Sequence, residues 1–255
     1  MTKYAIITGT SSGIGRELCH RLLTDTNTTW EVYGLCRHPE LCLADYPDLE
    51  AFSNRYHPVV CDLTDRNRLL TIIKELRSQF QVDLLVNNAG VGFFGPHEEI
   101  SPEKLHTMIA VNLEAPLLLT QQFLRDLKQT KGTILNLSSV TARKTDNTHG
   151  CAYGSTKAAL TSFGSSLFEE VRKYGVRVIT LQPDMTESDF YKGADFTTGE
   201  SEDTRLTSEE VADLAMELLS LRTGSLVTEV TLRPQLHRIQ RKPRSNKSEN
   251  SHENL

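Results

Sequence analysis

The residues best suited to chemistry are Tyr153 and Lys157, in the run Tyr153-Gly154-Ser155-Thr156-Lys157. On a helix, residues four apart share one face, about one turn from each other. A free tyrosine keeps its proton up to about pH 10. A fixed positive charge nearby favours the phenolate and lowers that value. A phenol beside an ammonium can therefore give a proton to a reacting oxygen or take one from it. The same spacing also occurs on ordinary solvated helix faces. The pair gains meaning only from what surrounds it.

A second candidate lies near the N-terminus, in Thr8-Gly9-Thr10-Ser11-Ser12-Gly13-Ile14-Gly15. It follows an apolar strand-like run and opens a helical pattern. Glycines let a backbone turn tightly and approach a diphosphate, and the helix start presents unpaired N–H groups and a positive dipole end. Gly9, Ser11, Ser12, Gly13, Ile14 and Gly15 are the candidate contacts. The spacing is one residue longer than the general dinucleotide fingerprint. In such a fold the second strand ends where the adenosine ribose lies: an acid there favours NAD, an arginine the 2′-phosphate of NADP. Here the strand ends Leu35-Cys36-Arg37. Arg37 offers a planar donor fork to a phosphate, and Arg16 could assist. NADP(H) is expected in preference to NAD(H).

These residues need a scaffold, and the chain outlines one. Candidate strands are Tyr4–Thr8, Glu31–Cys36, His57–Cys61, Asp83–Asn87, Gly132–Ser138, Val176–Leu181 and Leu226–Leu232. Several are apolar almost throughout, as strands buried on both faces are. Amphipathic helical patterns separate them: Leu69, Ile72, Ile73, Leu76 and Phe80 recur at helical spacing. Ser101-Pro102-Glu103 reads as a helix start and Thr207-Ser208-Glu209-Glu210 as a capping box. The alternation predicts an α/β fold: a doubly wound, three-layer α/β/α sandwich of Rossmann type around a seven-stranded parallel sheet. Residues 1–237 are expected to form one domain. Within it, 186–206 is the least regular stretch and is expected to be a mobile lid over the substrate.

Bulk properties limit the alternatives. A net charge of −5 over 255 residues gives no general reason to bind nucleic acid. No apolar run is long enough to span a bilayer, and no secretory leader is seen. Residues 238–255 hold five Lys/Arg against two Glu and little apolar content, and are expected to form a disordered polar tail. The five cysteines are odd in number and lack a CxxC. They fit buried, reduced thiols of a cytoplasmic protein. Cys36, His38 and Cys42 match no zinc spacing, so no metal is expected.

Read together, the motifs resemble those of the short-chain dehydrogenase/reductase family, in its short single-domain branch. They appear in order: Thr8-Gly9…Gly13-Ile14-Gly15, Asp62-Leu63, Asn87-Asn88-Ala89-Gly90, Asn112, Ser138-Ser139 and Tyr153…Lys157. The resemblance covers about residues 3 to 235 and implies hydride transfer between a nicotinamide and a carbonyl or secondary alcohol. It implies that Tyr153 is the general acid and base, and that Lys157 lowers its pKa and binds the nicotinamide ribose. Ser139 would donate to the substrate oxygen, and Asn112 would hold a water linking Lys157 to solvent. Asp62 and Leu63 would lie against the adenine, and Asn88, Ala89 and Gly90 beside its ribose. Pro183, Met185 and Ser188 would hold the nicotinamide amide. One departure stands out: Asp184 occupies the usual glycine place, which puts the local backbone in question. The substrate is expected to be a small carbonyl or alcohol, in a partly apolar pocket drawn from 91–96, 140–151 and 186–206. Phe93, Phe94, His149 and Phe190 are candidate lining residues. By the same resemblance the protein forms homodimers or homotetramers through its long helices, 101–130 and 153–174. A non-catalytic dinucleotide sensor on this fold is the alternative. It has no reason to carry all four of Asn112, Ser139, Tyr153 and Lys157. A sugar-nucleotide epimerase shares the Tyr and Lys but needs a longer C-terminal substrate domain.

Overall fold

The computed structural model describes residues 2–42, 46–144, 146–222, 224–236 and 238–242. Its centre is a seven-stranded parallel sheet in the order β3-β2-β1-β4-β5-β6-β8. The strands are β1 Lys3–Thr8, β2 Trp30–Cys36, β3 Tyr56–Val60, β4 Leu84–Asn87, β5 Thr133–Leu137, β6 Arg177–Pro183 and β8 Glu229–Leu232. Each lies where an apolar run predicts one. β4 and β5 are buried at every position, which explains why their sequences do not alternate.

Helices cover both faces. α1 (Gly13–Leu23) and α6 (Ser208–Ser220) pack on one side, burying Leu18, Leu22, Val211 and Ala215 against β1, β2, β5 and β6. α2 (Arg66–Arg77), α4 (Ala115–Thr130) and α5 (Cys151–Val171) cover the other through Leu69, Ile73, Phe123 and Leu167. The helix starts read from the sequence are made as expected. Thr207 Oγ1 accepts from Glu210 N at 3.2 Å, and Glu210 Oε2 accepts from Thr207 N at 2.8 Å. Strand order reverses between β1 and β4, and in such sheets ligands bind in the crevice beyond that point.

Three features depart from the sequence-based expectations. The helix expected over 101–130 is broken: α3 (Pro102–Ile109) and α4 are joined by a π turn, Ala110–Glu114. A second, two-stranded antiparallel sheet joins β7 (Phe196–Thr198) to β9 (Ile239–Arg241). This corrects the tail expected from residue 238. Lys242 N donates to Asp195 O at 2.8 Å, and Lys242 Nζ donates to the carbonyls of Tyr191 and Lys192 at 2.6 and 3.1 Å. Backbone pairing and a lysine that caps carbonyls hold this stretch without a hydrophobic core. The remainder of the expected tail, 243–255, lies outside the described residues. Cys19, Cys36, Cys42 and Cys61 are buried as expected, but Cys151 is exposed at the start of α5.

Candidate active site

The glycine turn after β1 has a shape that side chains would block. Gly9 and Gly13 hold φ of +76° and +55°, the left-handed region that favours glycine. A Cβ on Gly15 would overlap the Gly9 carbonyl oxygen and the Asn88 amide. Asn88 braces the turn from the end of β4. Its Nδ2 donates to Thr8 O at 2.9 Å and Gly9 O at 3.2 Å, while Asn88 N and Ala89 N donate to Thr8 Oγ1. α1 starts at Gly13 with no side-chain cap from Ser12 and no acid in its first turn. Its leading N–H groups face the crevice with no competing carboxylate, which fits a diphosphate. Ser188 closes over this turn: a Cβ on Gly13 would stand 3.2 Å from Ser188 Cβ.

Arg37 is exposed just past β2. Asp62 accepts from Thr64 N at 2.9 Å and Thr64 Oγ1 at 2.8 Å. The Thr64 backbone bond, then its hydroxyl and the charge of Arg37, hold the Asp62 carboxyl below its ordinary value. Leu63 packs on the core beside α2. Arg37, Asp62 and Leu63 thus lie near one another past the ends of β2 and β3.

The catalytic candidates meet across β5, α5 and the π turn. Ser138 and Ser139 point opposite ways, as strand neighbours do. Ser138 Oγ donates to Lys157 O at 2.9 Å and bonds Thr161 Oγ1 at 2.7 Å, so it belongs to the packing of α5. Ser139 instead lines the cavity with Tyr153. Lys157 is 3 % exposed. Its Nζ donates to Leu137 O at 2.8 Å and lies 5.9 Å from the Tyr153 ring centroid. A Cβ on Gly90 would stand 3.3 Å from that ammonium, so the glycine keeps its approach open.

Asn112 is fully buried and serves as a clamp. Its Oδ1 accepts from Val91 N and its Nδ2 donates to Val91 O, both at 2.8 Å; Nδ2 also reaches Thr156 Oγ1 at 3.0 Å. The π turn turns this side chain inward and ties the segment after β4 to α5.

In the protein alone, burial raises the Tyr153 phenol above its ordinary value, and the hydrogen bond with Ser139 opposes this. Burial also brings the Lys157 ammonium down to about 8. In a dry site both charged forms lose hydration, which disfavours each of them.

A cavity of about 360 Å³ opens beside Tyr153. Phe94 and Phe190 flank the phenol ring at 5.4 and 5.5 Å between centroids. The expected segments supply Phe94, His149, Tyr191 and Phe196, and Met185 also lines the cavity. Phe93 packs at its edge rather than lining it. Ile239 and Arg241 of β9 form a wall that no motif announced. Pro183 ends β6. Asp184 does not strain the backbone, because it lies outside the left-handed region. Its Oδ1 accepts from Met185 N at 2.9 Å and its Oδ2 from Arg233 Nε at 3.0 Å. The question raised by the missing glycine is thus answered by an arginine about fifty residues away in sequence.

Similarity to known proteins follows the same lines. The family model for short chain dehydrogenases matches residues 3–197. An uncharacterized oxidoreductase of Staphylococcus epidermidis is 30% identical over 91% of this chain and 97% of its own. Serine 3-dehydrogenase of Agrobacterium fabrum is 32% identical over 74% of each chain. The structure of an alcohol dehydrogenase from the archaeon Thermococcus sibiricus, complexed with 5-hydroxy-NADP, aligns with a TM-score of 0.81 at 27% identity, covering 93% of this chain and 99% of that one. The chain therefore belongs to the short-chain dehydrogenase/reductase family of oxidoreductases.

Proposed function

We propose that the protein is an NADP(H)-dependent oxidoreductase of small carbonyl or secondary alcohol substrates, with Tyr153 as general acid and base. The observation that carries this reading is that Tyr153 and Ser139 share the wall of the 360 Å³ cavity, with the buried Lys157 ammonium 5.9 Å from the Tyr153 ring centroid. When bound, the nicotinamide supplies or accepts the hydride, and its oxidised ring adds positive charge to the site. Ser139 donates to the substrate oxygen and stabilises charge as it develops there. Tyr153 delivers its proton to that oxygen in reduction and takes it back in oxidation. Lys157 contributes its charge to the phenolate and holds the nicotinamide ribose from beside Gly90. Asn112 keeps Val91 and α5 in register, which fixes the floor beneath the pair.

Preference for NADP(H) rests on Arg37 and on the lack of an acid at the end of β2. The Thr186–Leu206 segment acts as the lid. Its ends are joined, with Leu206 N donating to Met185 O and Glu187 N to Leu206 O, each at 2.8 Å. Its aromatic residues lie over the phenol. Partly exposed Leu117 on α4 fits a homodimeric or homotetrameric contact.

The test is a panel of ketones, aldehydes and alcohols with both nicotinamide cofactors, run on the wild type and on Tyr153→Phe. The variant should lose about two or more decades of turnover while still binding NADPH. Near-normal turnover would overturn the assignment of Tyr153.

A further inference from the structure

We propose that Thr141 is a positioning residue: it occupies both acceptor sites of the Ser139 hydroxyl and so aims the Ser139 proton into the pocket. This rests on the reaction proposed above for its consequence in turnover, but not for its geometry.

Ser139 leaves β5 in an extended conformation and caps the short 3-10 turn Val140–Arg143. Its Oγ accepts from Thr141 N at 3.2 Å and from Thr141 Oγ1 at 3.0 Å. The first contact is an ordinary serine turn that any residue at 141 could supply. The second needs a hydroxyl. A serine oxygen has one proton to donate and two lone pairs to accept with. Thr141 fills both lone pairs, so the proton must point elsewhere. Ser139, Thr141 and Tyr153 share the cavity wall, and Ser139 is the one hydrogen-bonding group that draws the Tyr153 phenol toward ionisation. The proton is therefore directed at the phenol oxygen and at the place of the substrate oxygen beside it. Accepting two hydrogen bonds also polarises the Ser139 O–H, because chained hydrogen bonds strengthen one another at low dielectric. Without the Thr141 hydroxyl, Ser139 would be free to rotate and to spend its proton on a non-productive partner.

Other titratable or charged groups share the surroundings of the phenol: Lys157 on the same helix, Tyr191 on the Asp189–Tyr191 turn, Asp184 just past β6, and Lys144, His149, Asp195 and Arg241 around the cavity. The hydrogen bond of the Thr141 hydroxyl runs to Ser139, so removing that hydroxyl acts first on Ser139.

The experiment compares the wild type with Thr141→Val, Thr141→Ser and Thr141→Ala. Turnover with NADPH and a panel substrate is measured across pH. The Tyr153 phenol is titrated separately by near-ultraviolet absorbance, with Tyr153→Phe as the blank. Removing one hydrogen bond of this kind should lower kcat about tenfold in Thr141→Val, with the KM for NADPH unchanged. The phenol should titrate at higher pH in that variant, and Thr141→Ser should restore both. Thr141→Ala replaces Thr141→Val if the latter does not fold. Wild-type kcat and phenol titration in the variant would overturn the proposal. So would a Thr141→Ser variant as impaired as Thr141→Val, since that would reveal a packing role for the methyl group. If the wild type turns over nothing in the panel, the proposed reaction fails, but the phenol titration still decides the role of Thr141.

Discussion

Lys157→Met should make the protein more stable at neutral pH while damaging its activity. Lys157 is 3 % exposed, and burial lowers its pKa from 10.5 to about 8. At about 1.4 kcal/mol per pH unit, holding this lysine charged inside the fold costs about 3 kcal/mol. Methionine has a similar length and no charge, so the variant escapes that cost. It also loses the donor to Leu137 O, and a buried carbonyl left without a partner costs about 1 kcal/mol. The net gain at neutral pH is about 2 kcal/mol. The dependence on pH follows from where the protons sit. The unfolded lysine keeps its proton to about pH 10.5, whereas the folded one releases it near 8. Between these values the unfolded state binds more protons, so the wild type gains stability as pH rises through the window. The advantage of the variant should shrink over the same range. By its upper end only the lost hydrogen bond remains, and the variant becomes the less stable protein. Urea unfolding midpoints of both proteins at several pH values across the window measure the difference directly. A variant less stable than the wild type at neutral pH would refute the reasoning, as would a difference that does not change with pH.

Two other substitutions probe the cofactor end. Arg37→Ala should weaken NADPH binding about tenfold or more while leaving NADH binding nearly unchanged, as loss of a charge-assisted phosphate contact requires; calorimetric titration with each cofactor measures this, and equal losses would count against the role given to Arg37. Gly15→Ala places a methyl against the Gly9 carbonyl and the Asn88 amide, so it should lower the melting temperature and abolish the further stabilisation that NADPH gives. A variant that melts and responds like the wild type would show that the turn can open.

Much of the fold is legible because burial on both faces leaves a simple trace. Runs such as Leu84–Asn87 and Thr133–Leu137 are apolar or small at nearly every position, and the helices between them carry their own start signals. The glycine turn is legible because its backbone excludes other residues. What escapes notice depends on distance or on weak local preference. β7 and β9 are three residues each, and no position of either is buried, so neither leaves an apolar pattern. The fit of Asp184 depends on Arg233, which lies on a different strand end. The π turn at Asn112 has no residue signature, yet it decides what the Asn112 amide holds. Spacing reveals the lysine near Tyr153 but not the dryness around both groups. The double acceptance by Ser139 needs atomic positions, although a hydroxyl two residues after a serine could have hinted at it.

The wall that β9 adds to the pocket is held separately from the rest of the fold. The seven-stranded sheet and the glycine turn contain no residue of β9. β9 is joined to the protein by three-residue pairing with β7 and by the contacts of Lys242. The dinucleotide half and the substrate half of the crevice therefore do not share their means of support. The shape of the substrate pocket can change in this family member through a few residues of β9 without disturbing the sheet.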